Sequence, residues 1–236
     1  MMDWHACLPL LIAAAVLAIP VSATNVPLLL FEDSFETGTF ENWDEIGCRW
    51  GITDDAHSGD YAAVCIAGGE VDAPGRQITR MLNYTGSYRV EGWFKTNKLG
   101  TLTCSGLYVL GEIPGKESLL YSLQVIEGGR IGYNQWNESG NHRLYSPKPV
   151  VRPLEWHKFA ICYYRNTSRQ SVWIDDRYLG SAPLRTLSGE TIGPDDSIAL
   201  RIGGGSTWAP GDLPDAAVID DIRVTAIWPG MRFIGS

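Results

Sequence analysis

Apolar and polar positions alternate along most of this chain in short runs. In "SYRVEGWFKT", Tyr88, Val90, Gly92 and Phe94 fall on one face and Arg89, Glu91, Trp93 and Lys95 on the other, which is the period of a strand half-buried in a sheet. "WHKFAICYY" repeats the pattern, setting Phe159, Ile161 and Tyr163 against Lys158, Ala160, Cys162 and Tyr164. "SIALRIGG" turns Ile198, Leu200 and Ile202 inward. "SLLYSLQVIEGGRIGYNQWN" reads as a hairpin reversing at Gly128 and Gly129, and "SVWIDDRYLG" as another in which Asp175 and Asp176 make the turn. A shared catalytic role for these two carboxylates is disfavoured, because successive strand residues point to opposite faces. Gly, Asn, Asp and Pro punctuate the runs at sandwich-like intervals and no helical period intervenes. Ten or more short strands without a helix predict an all-β fold, a sandwich of two antiparallel sheets.

The first 23 residues depart from this pattern, with an apolar run from Ala6 to Ile19, Pro20, and the small-residue ending Val21-Ser22-Ala23. They read as a signal peptide cleaved after Ala23, leaving 24–236 as a single exported domain with no spanning segment. Asp3 and His5 with no Lys or Arg ahead of the run keep a retained anchor as the alternative. Cleavage takes the net charge from −8 to −7, and a mildly acidic chain without a basic cluster is excluded as a nucleic-acid binder. Export gives the remaining cysteines, Cys48, Cys65, Cys104 and Cys162, the reading of two disulfides, expected as Cys48–Cys65 and Cys104–Cys162. With no C-x-x-C pair, zinc is disfavoured. Sequons at Asn83, Asn137 and Asn166 sit beside predicted turns as candidate glycosylation sites.

The order of the pieces carries more than any one of them. "FEDSFETGTFENWDE", "AHSGDYAAVCI", "SYRVEGWFK", "EWHKFAICYY", "SVWIDDRYLG", "IALRIGGG" and "AAVIDDIRVT", from about Leu30 to Thr225, together resemble the concanavalin A-like lectin/glucanase jelly roll, near its laminin-G-like and pentraxin-like branch. Asp176 stands where that branch has glycine. The resemblance implies a structural calcium where the first and last strands meet, held by Asp33, Glu36, Asp220 and Asp221 with carbonyls around Ser58-Gly59-Asp60. The E-x-D-x-E strand of the glucanase members is absent: Glu112, Glu117, Glu127 and Glu138 flank turns. Lyases on this fold use a neutralising side chain with a Tyr or His base, and "RIGYNQWNESGNHR" offers Arg130, Tyr133, Gln135 and His142 for a uronate-containing glycan. The accompanying Arg-x-Glu-Leu-Arg and Gln-Ile-His strands are missing, although "SLQVIEGG" supplies Gln124.

Binding without catalysis is the preferred expectation. His157, beside Trp156 at a strand start, and His57, before Ser58-Gly59, read as structural, and no G-x-S-x-G marks a serine hydrolase. The chain holds 9 tryptophans and 10 tyrosines, most of them expected in the core. Those on polar faces or in loops are the candidates for a carbohydrate or extracellular surface ligand: Arg89, Trp93, Tyr133, Asn134, Trp136 and Trp208. A lyase acting on an acidic glycan and an adhesive structural component are the alternatives.

Overall fold

In the computed structural model, residues 27–67, 77–96, 107–113, 118–133, 144–184, 192, 195–197, 199–204 and 215–228 are described. Among them are fourteen strands: β1 (Leu29–Asp33), β2 (Glu45–Ile46), β3 (Trp50–Thr53), β4 (Ala62–Ala67), β5 (Gln77–Arg80), β6 (Tyr88–Thr96), β7 (Leu107–Ile113), β8 (Ser118–Ile126), β9 (Arg130–Gly132), β10 (His157–Tyr164), β11 (Arg169–Ile174), β12 (Arg177–Pro183), β13 (Ala199–Gly204) and β14 (Asp215–Ala226). The alternation of β6 is realised without a break, its nine residues being buried and half-buried in strict turn.

Two antiparallel sheets result. The larger runs β12-β11-β10-β6-β14-β4-β3, with β1 also on β14, and the smaller runs β2-β5-β13-β7-β8-β9. β14 is long enough to serve two partners along one edge, β4 against Asp215–Ile219 and β1 against Ile222–Thr225, while β6 covers the other edge. Where the partner changes, the register with β6 shifts between Asp220 and Arg223, and Asp221 takes φ 50°. The facing sides close on a core of Val90, Phe94, Phe159, Ile161, Leu123 and Ile202, all at 0 % exposure. Polar links also cross it, among them a hydrogen bond of 2.6 Å between the hydroxyl oxygens of Tyr163 and Ser122.

The turns follow the sequence. β8 and β9 reverse through Glu127–Gly129, with Gly128 and Gly129 at φ 69° and 78°. β11 and β12 reverse at Asp175 and Asp176, both at positive φ (50° and 59°), the left-handed pair a tight hairpin requires and one that Asp tolerates. Asp175 also accepts from Lys158 N (2.9 Å) and pairs with His157 Nδ1 (2.8 Å), while His157 Nε2 accepts from Arg152 N at 3.0 Å. An imidazole accepting at Nε2 carries its proton on Nδ1, so His157 is a buried splint between the β11–β12 turn and the segment before β10.

The cysteine expectation needs correction. Cys65 is buried and its thiol donates to the Gly204 carbonyl across the sandwich (3.4 Å), whereas Cys48 is exposed in the turn before β3. The two residues lie in different environments, and the expected Cys48–Cys65 bridge is not shown. Cys162 is likewise a buried thiol, on the outer side of β10 against Trp173 and Ile227, and its expected partner Cys104 lies outside the described residues.

Candidate functional site

Polar residues occupy the outer side of the six-stranded sheet because its apolar alternates, Ile78, Leu200, Ile202, Val109, Leu123 and Val125, all turn into the core. The strand registers line them up. Gln77 of β5 stands opposite Gly203 of β13, Gly203 opposite Tyr108 of β7, Tyr108 opposite Gln124 of β8, and Gln124 opposite Gly132 of β9, which is bridged to Tyr145. This row crosses five strands at right angles, roughly 19 Å at the usual strand spacing of about 4.8 Å. A parallel row beside it takes in Glu45, Thr79 and Arg201.

At its β5–β7 end the row is tied to its neighbour by hydrogen bonds. Arg201 Nη1 donates to Gln77 Oε1 (3.3 Å) and Gln77 Nε2 donates to the Tyr108 hydroxyl (3.2 Å). Arg201 Nη2 is also ion-paired with Glu45 at 3.6 Å. The Tyr108 ring lies on Gly203, where an added Cβ would come within 2.1 Å of it, so glycine here is what lets the ring lie flat against the sheet. The result is a strip of amide, hydroxyl and guanidinium groups around one aromatic ring. Gln77, Gln124 and Thr79 are buried, and the half-buried members are Tyr108 and Arg201, which offer a hydroxyl, a ring face and a guanidinium.

The structure separates the residues expected from sequence. Tyr133 is 7 % exposed, with its hydroxyl donating to the Leu179 carbonyl (3.2 Å) and its ring packed on Gly180. Burial raises its pKa above the usual tyrosine value, and it belongs to the inter-sheet core. As a lyase base facing a cleft it is therefore misplaced, since it shares the inward parity of Ile131; Arg130 is exposed on β9. Arg89 and Trp93 lie on the outer side of the other sheet. There Arg89 Nε donates to Glu91 (3.0 Å) and its guanidinium sits 5.6 Å from the Trp173 ring centre, while Trp93 stacks on His57 at 3.8 Å. Asn134, Gln135, Trp136, Asn137, His142 and Trp208 lie outside the described residues. Asn83 and Asn166 are exposed.

The expected calcium ligands do not assemble as one set. Asp33, Glu36 and Asp221 line a groove of about 490 Å³. The side chains that come within ligand distance of one another, among the described residues, are instead His57, Asp220 and Asp221. Asp33 turns inward and accepts from Phe35 N (2.8 Å) and Trp43 Nε1 (2.8 Å). Asp220 accepts from His57 N (2.9 Å), Ser58 N (3.1 Å) and Asp221 N (2.7 Å), and Glu36 from the amides of Asp60 and Tyr61. Burial nevertheless holds the carboxyls of Asp33 and Asp220 above the usual range, outweighing these donors. Loop 54–61 thus presents amide hydrogens to the acids where the resemblance calls for carbonyl oxygens. That polarity, with an imidazole in place of an oxygen, does not fit a calcium shell.

Gln77, Thr79, Tyr108 and Arg201 had no motif to announce them. The outward parity of Arg201 is readable from Leu200 and Ile202, but its meeting with Gln77 depends on β5 and β13 pairing across 124 positions.

No family model matches the chain, and no curated protein matches it. Solved structures do. A cellulose-induced protein, Cip1, superposes with a TM-score of 0.59 at 16% identity over 86% of this chain and 100% of its own. A carbohydrate esterase of the Shiga toxin-encoding bacteriophage phi24B gives 0.57 at 15% over 85% and 99%. The Bacillus licheniformis β-glucanase gives 0.50 at 12% over 84% and 98%. With its two antiparallel sheets and this set of structural neighbours, the chain has a jelly-roll β-sandwich fold.

Proposed function

We propose that the chain is an exported, non-catalytic carbohydrate-binding domain whose ligand lies across the six-stranded sheet along Gln77, Tyr108 and Gln124. The observation that carries this reading is the transverse row itself: Gln77, Tyr108 and Gln124 at one level of the sheet, with Gln77 hydrogen-bonded to the Tyr108 hydroxyl across Gly203, on which the ring lies. A saccharide needs such alternating donors and acceptors with an apolar surface beside them. The names of the neighbours, a cellulose-induced protein, a carbohydrate esterase and a β-glucanase, support the class of ligand.

A glycan array probed with the wild type and with Tyr108→Ala and Gly203→Ala tests it. Truncating a central contact should weaken retained glycans about tenfold, which is roughly 1.4 kcal/mol. Gly203→Ala should do the same by lifting the Tyr108 ring. Undiminished binding in both variants would remove the sheet face from consideration. The expected lyase set gains no support here, because Tyr133 is in the core.

A further inference from the structure

The chain leading into β10 crosses from the smaller sheet to the larger one. It starts along β9, where Tyr133 N donates to the Leu144 carbonyl (3.0 Å), Tyr145 is bridged to Gly132, and Ser146 N donates to the Ile131 carbonyl (2.8 Å). Val150 N and Val151 N then donate to the Gly129 carbonyl at 2.8 and 3.0 Å, and Leu154 N to that of Thr96 in β6 at 2.9 Å. Segment 144–156 is thus a strap over β9, the outermost strand of the smaller sheet, fastened to both sheets by backbone hydrogen bonds. One fastening is of another kind. Arg152 N donates to an imidazole nitrogen, His157 Nε2, at 3.0 Å, and the His157 side chain is 7% exposed.

A ring nitrogen accepts only while its lone pair is free, so a proton on Nε2 and this hydrogen bond exclude each other. Nδ1 offers no other seat, because it already carries a proton directed at Asp175, 2.8 Å away. The charged groups around the ring nonetheless favour a positive imidazole. The β11–β12 turn brings Asp175 and, beside it, Asp176, which pairs with Lys158 Nζ of β10 at 3.2 Å. The strap brings Arg152 and Glu155, paired with each other at 3.4 Å, and β6 brings only the uncharged ring of Phe94, 5.8 Å from the imidazole. His157, Asp175, Arg152 and Glu155 line one cavity of about 350 Å³, which leaves space beside the ring.

We propose that His157 is a pH-operated latch on the strap. When neutral, its Nε2 holds the Arg152 amide in place. When Nε2 takes a proton from solvent, it lets that amide go and turns its new N–H toward Glu155 across the shared cavity. Segment 149–155 then lifts, while β10 keeps β6 and β11 on its two sides. The lifted form holds one proton more than the fastened form, so their ratio rises by at most about tenfold for each unit by which the pH falls.

Amide hydrogen exchange read by mass spectrometry tests this, with protection expressed relative to free-peptide rates at about pH 7.5 and about pH 5, which bracket the ordinary titration of imidazole. Peptides spanning 150–154 should lose about tenfold or more of their protection on acidification while those of β6 and β10 keep theirs. His157→Gln, whose side-chain carbonyl accepts at either pH, should hold the strap equally at both. Unchanged strap protection in wild type would overturn the latch, as would a loss shared equally by β6 and β10. A folded His157→Gln that loses protection as wild type does would overturn it too, by placing the titration elsewhere, for example on His57 beside Asp221. Imidazole NMR of wild type decides the matter even if that variant does not fold: the His157 ring signals should titrate with the same midpoint as the strap's exchange, and separate midpoints would rule the latch out.

Discussion

Asp220 shows how one side chain can substitute for a missing stretch of ladder. At the point where β14 exchanges β4 for β1, its carboxylate collects three amide hydrogens that would otherwise lack partners. Asp220→Ala should therefore cost about 2–3 kcal/mol, given the usual worth of hydrogen bonds to a charged group. In a chain of this size that corresponds to roughly 5–10 °C in a thermal melt. Asp33 and Asp220 also set a pH signature. Both hold their protons more tightly folded than unfolded, so their contribution to stability is greatest below the ordinary carboxylate value of 3.8 and is lost as pH rises from there through the raised folded values. Urea titrations of wild type and Asp33→Asn across that interval should show the variant gaining on wild type with rising pH; parallel curves would contradict the burial argument. Little of this was legible in the residues themselves. Two neighbouring acids in "VIDDIRV" look alike on paper, yet Asp220 is fully buried and Asp221 is half-exposed, because only a register shift invisible to local pattern tells them apart.

At the level of elements, the alternation in β6, β10 and β13 assigned each face correctly, because large apolar side chains recur at every second position with smaller or polar residues between them. β9 offered a weaker contrast. Tyr133 was legible as sharing a face with Ile131, but not as being inside, since a tyrosine with amide neighbours suits either side of a sheet. The transverse strip was less legible still, for it is assembled from β5, β13, β7 and β8, whose order across the sheet no local run encodes. Loop 54–61 is held by Glu36, Asp220 and Asp221 through amide and hydroxyl donors. A bound cation at about a hundred times its dissociation constant would add some 2.7 kcal/mol to stability. Melting this protein in EDTA and then in millimolar calcium should give the same midpoint; a rise of several degrees with calcium would show that the loop turns its carbonyls inward.

For the whole molecule, the decisive fact is that β14, the last strand among the described residues, sits in the interior of the larger sheet, between β6 on one edge and β4 and β1 on the other. Contacts of such sequence separation place this fold among the slow folders. They also make it all-or-none with respect to its end. A chain stopped at position 214 lacks the β14 centre, leaves β6 and β4 without a common neighbour, and should show no cooperative unfolding transition by calorimetry. A sharp melt in that truncation would mean that the smaller sheet can stand without its partner.

The pairing of β1 with the end of β14 has a mechanical meaning. Leu28 accepts a hydrogen bond from Ala226 at 2.8 Å, and the two segments run antiparallel away from that point, so both leave the sandwich at one corner. Tension applied between positions 28 and 228 would open the bonds singly, as a zip opens, and would never load the whole ladder in shear. A domain fastened to a surface by either extremity would keep its strip of amides and its Tyr108 ring intact under drag, but a tether through both would peel it from the edge inward.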